Sequence, residues 1–166
     1  MRLAPASCVV FICGCAPTLQ NELAKIGPTR AEAPLTVEDT VMALVLAQPS
    51  VHRTASYEPD HQVIVANPTG PLTPHAIPAV DSVTFFALDT AAIQRLADRA
   101  GDVSYVTIAV PQVRRDTALV GIGYVRALKH IRGRSRAFRG WEWCSYKVVR
   151  NGNQWQLAAH PQCLIS

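Results

Sequence analysis

The chain has 166 residues, of which 49% are hydrophobic and 17% charged. That length suits one domain with a buried core, and the balance excludes a mainly disordered protein. The formal net charge of +4 is unevenly placed: Arg126 to Arg139 holds six Lys or Arg and no acid, while the rest has ten basic against twelve acidic residues, so the basic balance comes from one segment and says nothing about the rest of the surface.

Arg2 and the mostly apolar run Leu3 to Ile12 make an export-type start, far too short to span a bilayer. The run leads into Ile12-Cys13-Gly14-Cys15, which resembles the bacterial lipobox: an aliphatic residue, two small residues and the cysteine that is acylated. The resemblance implies a signal peptide over 1–14, a diacylglycerol on the Cys15 thiol, and anchorage through more than one acyl chain, since a single chain holds only marginally. Ala16 stands where an Asp would mark inner-membrane retention in enteric bacteria, so the expected location is the outer membrane, facing the periplasm. An ordinary cleaved export signal is the other reading of the same residues. Residues 15–34, polar and carrying Pro17, Pro28 and Pro34, are expected to be a tether, with a helical turn or two open to Leu19 to Ile26. Residues 35–166 form the single folded domain.

Thr36 caps a helix whose first turn carries Glu38 and Asp39, suited to the positive end of the helix dipole. Val37, Val41, Leu44 and Val45 form its apolar stripe, and Gln48-Pro49 stops it. Val51 to Tyr57 and Gln62 to Ala66 read as two strands around a turn at Glu58 to His61. Four prolines make Asn67 to Val80 an irregular crossing, and Val83 to Leu88 is a short apolar run, either a strand or the lead-in to the next helix. Asp89 or Thr90 caps a second helix with Ile93, Leu96, Ala97 and Ala100 on one face and a stop at Gly101. Ser104 to Val110 and Thr117 to Val125 alternate as strands.

The C-terminal stretch, Trp141 to Ser166, reads as a hairpin. Asn151-Gly152 is the dipeptide favoured in two-residue type I′ turns. With those two residues as the loop, Val148 faces Trp155, Tyr146 faces Leu157 and Cys144 faces Ala159, so every apolar group falls on one face. Trp155 is expected to be buried there. Helices followed by strands give an α+β arrangement: a curved antiparallel sheet with helices packed on one face.

Export leaves Cys144 and Cys163 as the unmodified cysteines, and two thiols in an oxidising compartment invite a disulfide. The hairpin register opposes it, because Cys163 lies four residues beyond the partner of Cys144, roughly 13 Å along the strand. Pro161 offers a way out by ending the strand and letting the tail curl back. The bridge is left open.

The run from Asp116 through Gly121-Ile-Gly-Tyr124, then Ser145 to Arg150, Asn151-Gly-Asn-Gln-Trp155 and a terminal Ile165-Ser166 resembles the tails of a broad group of uncharacterised bacterial exported proteins. More remotely it is similar to the ends of nuclear-transport-factor-2-like and cystatin-like domains. The resemblance covers about the last 60 residues. It implies a curved sheet against helices, and in the latter folds a cone-shaped cavity, which Tyr105, Tyr124, Tyr146 and Trp155 would line here.

The five histidines lack metal-ligand spacing, and G-x-S-x-G, Walker and Rossmann patterns are missing from the sequence. Asp60-His61 is the tightest acid–base pair, but neighbours on a strand point apart and both fall in a turn. The sequence therefore names no catalytic residue, metal site or cofactor. Arg126, Lys129, Arg132, Arg134, Arg136 and Arg139, with His130 and two flanking glycines, suit anionic lipid or lipopolysaccharide head groups, Arg forks being matched to phosphate. The same charges would serve nucleic acid, which an exported protein seldom meets. The expected function is that of a lipid-anchored cell-envelope protein of structural or binding character. The alternative is a small-ligand binder or enzyme using a cavity between helices and sheet. No protein partner can be named.

Overall fold

The computed structural model describes residues 18–57, 61–67, 70, 72–130, 142–158 and 160–165. Helices α1 (Leu19–Ile26), α2 (Val37–Leu46), α3 (Pro49–Ala55) and α4 (Thr90–Ala100) accompany strands β1 (Ser56–Tyr57), β2 (Gln62–Ala66), β3 (Thr84–Ala87), β4 (Val103–Ile108), β5 (Gln112–Arg114), β6 (Thr117–Ala127), β7 (Glu142–Asn151), β8 (Gln154–Leu157) and β9 (Gln162–Ile165). The strands join in one sheet of order β1-β2-β4-β6-β7-β8, with β3 beside β2, β5 beside β6 and β9 beside β7. The sheet curls strongly into a half-barrel. The protein is α+β, as its pattern predicts.

The helix caps follow the sequence. Thr36 and Asp39 form a reciprocal capping box on α2, and the Asp89 carboxylate accepts from the Ala92 amide at the start of α4. Pro49 ends α2 but opens α3, where its fixed φ suits the first helical turn. The strand expected over Val51 to Tyr57 is thus a helix through Ala55, with only Ser56–Tyr57 extended.

From β4 onward the sheet is antiparallel, while β2 runs parallel to both β3 and β4. The sheet is therefore mixed. The reason lies in β2, where Val63, Ile64, Val65 and Ala66 are all fully buried; a strand covered on both faces is the usual partner of parallel neighbours. Side chains of opposite parity supply two cores. In the first, Val41, Val45 and Leu46 of α2 and Val51 of α3 pack on Val63, Val65, Val106, Ile108 and the even-numbered residues of β6 and β7. In the second, Leu23 of α1 and Ile93, Leu96 and Ala97 of α4 pack on Ile64, Ala66, Val103 and Tyr105. The expectation of helices on one face describes α2 and α3; α1 and α4 add a layer against residues of the other parity. Each fully buried aliphatic side chain contributes about 1.5–3 kcal/mol.

Leu23 is completely buried, and past the helix the Thr29 amide donates to Phe85 O (2.9 Å) while Thr29 Oγ1 accepts from the Ala87 amide (2.8 Å). The tether expected over 15–34 is corrected accordingly: from Thr18 onward this stretch belongs to the folded domain. Leu23 and the Thr29 contacts, rather than composition, attach it.

The C-terminal register differs from the expected one in two even steps. Val148 faces Leu157 and Arg150 faces Trp155, so the loop is Gly152-Asn153. Gly152 has φ 61° and Asn153 does not share the positive φ, which matches glycine at the first central position of a type II′ turn. An even shift leaves each side chain on its original face, so Trp155 and Leu157 still pack on the first core, half-buried. The Ala158 amide still donates to Lys147 O (2.9 Å); the chain then leaves the ladder and returns as β9, two residues further displaced, with Cys144 facing Cys163.

Candidate functional site

The end of the sheet where β4 begins and β6 and α4 finish carries the first part of the basic stretch. The Asp98 carboxylate, in the last turn of α4, accepts from the His130 amide at 3.0 Å and from Gln94 Nε2 at 3.0 Å, and lies 2.8 Å from His130 Nδ1. Gln94 Nε2 also donates to Leu128 O. Four residues on, Asp102 accepts from the Lys129 amide at 3.0 Å and pairs with Arg126 at 3.3 Å. Hydrogen bonding from the His130 backbone N–H, then its side chain, holds the Asp98 carboxyl at about 2, below its ordinary 3.8. Two acids at the negative end of a helix are unfavourable for the dipole, and here each is satisfied by a backbone N–H of the following connection. That placement of acids at the end of a helix is the signal the sequence carries for this contact.

Alongside, Glu22 of α1 is buried and receives Lys25 and, at 3.4 Å, Arg99 of α4. The Lys25 hydrogen bond leads in keeping its carboxyl below the usual range. These contacts join α1, the end of α4 and the Arg126–His130 segment into one continuous surface. Arg126 and Lys129 are exposed. Arg132, Arg134, Arg136 and Arg139 lie outside the described residues, as does Cys15.

Cys144 and Cys163 are joined by a disulfide, with Cα atoms 4.1 Å apart. Glu142 Oε1 lies 3.6 Å from the Cys144 sulfur. Three atoms of metal-ligand type thus gather within 4.8 Å, but both sulfurs are committed to each other, so the group acts as a clasp on β9 rather than as a ligand set. On the opposite face Trp143 lies flat over two glycines: a Cβ at Gly121 would come within 2.2 Å of its Cζ2, and one at Gly123 within 2.9 Å of its Cε3. The glycines make room for the indole, in the manner of an aromatic covering a glycine in a sheet.

The four aromatics expected to line a cavity do not share one. Tyr124 and Tyr146 lie in the first core, with their hydroxyls 3.4 Å apart and Tyr146 3.1 Å from Ser50 Oγ. Burial, followed by the Tyr146 hydrogen bond, pushes the Tyr124 phenol far above its ordinary range. Tyr105 belongs to the second core, across the sheet, where burial also raises it. Trp155 sits at the rim of the first core, half-buried. An open cleft of about 310 Å³ lies elsewhere, lined by Pro28, Thr29 and Ala31 on one side and Pro78 to Asp81 and Val83 to Phe85 on the other, with Asp81 as the ionisable residue among the described ones that line it. Two His–carboxylate pairs occur among the described residues: His130 with Asp98, and His75 with Glu32 at 3.0 Å, the latter without hydrogen-bond geometry. Neither lines that cleft.

Comparison with family models, curated proteins and solved structures gave no match. Among the described residues no helix is long and apolar enough to cross a membrane. Among the described residues the clearest surface chemistry belongs to Arg126, Lys129 and His130 and to the acids Asp98 and Asp102 that meet them.

Proposed function

We propose that this chain is an exported, lipid-anchored cell-envelope protein of structural or binding character. It is acylated at Cys15, sits on the outer membrane facing the periplasm, and touches anionic head groups through Arg126, Lys129, Arg132, Arg134, Arg136 and Arg139. The observation that supports this reading is the Cys144–Cys163 disulfide, since such bonds persist in oxidising compartments and are rare in the cytosol. It agrees with the lipobox-like start, since export would leave Cys144 and Cys163 as the unmodified thiols in an oxidising compartment. The start of the basic segment adds support, because the Lys129 and His130 amides are bound by Asp102 and Asp98 beside the end of α4. The anchor holds the protein, and the charges set how it meets the surface.

Detergent-phase partitioning of the full chain made in a bacterium tests this. Wild type should enter the detergent phase, and Cys15→Ser should move to the aqueous phase or stay unprocessed. Equal partitioning of the two would overturn the reading.

A further inference from the structure

Only two residues separate Cys15 from Thr18, whose carbonyl accepts from the Glu22 amide and whose hydroxyl caps α1. Three steps of extended chain span roughly 10 Å at most. A lipid on Cys15 therefore cannot hold the domain at a distance: the start of α1 must lie within about that reach of the head groups. One helical turn on, Glu22 meets Arg99, and α4 then leads through Asp98 and Asp102 to Arg126, Lys129 and His130. This end of the domain carries Lys25, Arg95, Arg99, Arg126 and Lys129 against the acids Glu22, Asp98 and Asp102. Lys25, Arg99 and Arg126 keep 68%, 64% and 56% of their side chains exposed although paired, while Glu22 keeps 7%. The cations face outward and the deepest acid faces inward, so the solvent meets a positive surface.

We propose that this end of the domain, formed by α1, the last turns of α4 and Arg126–His130, rests against an anionic phospholipid surface in the anchored protein. The proposal depends on acylation at Cys15 and adds an orientation to it. A long tether would let the domain tumble; a short one with cations at its root fixes one end downward. Each cation brought close to an anionic leaflet strengthens the contact about 5-fold, and salt screens it.

The three lysines of the chain supply the test. Lys25 and Lys129 belong to the proposed surface, whereas Lys147 is exposed on β7 opposite Leu119, roughly 26 Å down the strands from Ala127. The full acylated chain, on vesicles containing phosphatidylglycerol, is treated with a membrane-impermeant amine-acylating reagent, and each lysine is compared with itself in detergent micelles. Protection of Lys25 and Lys129 by at least 3-fold, with Lys147 unchanged and the protection lost in high salt, is the expected result. Equal reactivity change at all three, protection of Lys147 alone, or no protection would overturn the orientation. Flotation of the same sample with the vesicles, compared with Cys15→Ser, reports the anchor independently: a protein that floats through its lipid yet shows no lysine pattern refutes the orientation and leaves the anchor standing. One that never carries the lipid refutes both.

Discussion

Cys144 and Cys163 stand directly opposite each other across β7 and β9, bonded through their sulfurs, with Cα atoms 4.1 Å apart. The pairing fastens a strand that has little else to hold it. All four residues of β9 are exposed, including Leu164 at 75% and Ile165 at 83%, so burial gives it little and the ladder with β7 is its main noncovalent attachment. Closing a loop of 19 residues removes unfolded-state entropy worth about 3 kcal/mol. Cys163→Ser should therefore lower unfolding free energy by about 2–4 kcal/mol and raise amide exchange over 162–165 while leaving β6 protected. Urea unfolding with exchange mass spectrometry checks both; unchanged exchange in β9 would show that the ladder alone holds it.

Trp143 and Gly121 make a second pairing that can be tested by volume. Adding a methyl at residue 121 drives a carbon to 2.2 Å from the indole, so the ring must leave its seat. Gly121→Ala should destabilise the fold by about 1–3 kcal/mol, despite the gain alanine normally brings to a strand. Near-ultraviolet circular dichroism should lose part of its tryptophan signal. A neutral or stabilised variant would mean that the ring shifts freely.

The expected consequence at Trp155 is smaller than its position in a hairpin core suggests. It faces Arg150 and is half-buried rather than enclosed. Trp155→Ala should cost roughly 2 kcal/mol, about half the value for a fully buried tryptophan. A loss above about 4 kcal/mol by urea unfolding would place it deeper than the structure does.

The sequence patterns legible in advance were those set by local rules. Thr36 and Asp39 announced α2, Asp89 and Gly101 bounded α4, and the alternation of Ala118, Val120, Ile122 and Tyr124 marked the inner face of β6. What escaped was decided by nonlocal contacts. The unbroken run Val63 to Ala66 signals a strand covered on both faces, whereas a turn on its N-terminal side also suits an ordinary hairpin strand. Pro49 suits both the end of one helix and the first turn of the next, and only packing decides that α3 follows. The hairpin face was right because the true register differs by an even number of residues, but the two-residue departure before β9 depends on Ala158 to Pro161, where no turn rule fixes a length. That departure brings Cys144 opposite Cys163, and so the pattern alone left the bridge open. The clamp of Asp98 and Asp102 required knowing that the chain returns to the end of α4 after β6.

Acid should loosen the base of the basic segment. Asp98 has a carboxyl pK held at about 2 against an ordinary 3.8. A group lowered in the folded state contributes stability that is fully present above its ordinary value and is lost as the pH falls toward the folded one. Between pH 4 and 2, wild type should lose more stability than Asp98→Asn, which cannot titrate. Urea unfolding across that range checks the sign, and parallel curves would contradict the assignment.

The basic segment should act as a salt-sensitive contact. With Cys15→Ser to remove the lipid, the chain should still bind vesicles rich in phosphatidylglycerol at low salt. Changing Arg132, Arg134 and Arg136 to Ser should weaken that binding roughly 100-fold without lowering stability. A chain that ignores such vesicles even at low salt would leave the segment as a connection between β6 and β7 and nothing more.

Acylation at Cys15 is tested most directly by the mass of the mature N-terminal peptide. The protein is produced with its full sequence in a bacterium that processes lipoproteins, and the membrane fraction is digested. Acylation predicts an N-terminal peptide beginning at Cys15-Ala16, heavier than its sequence by a diacylglyceryl group, and no peptide from residues 1–14. A peptide beginning at Met1, or an unmodified Cys15 in a soluble protein, would contradict it.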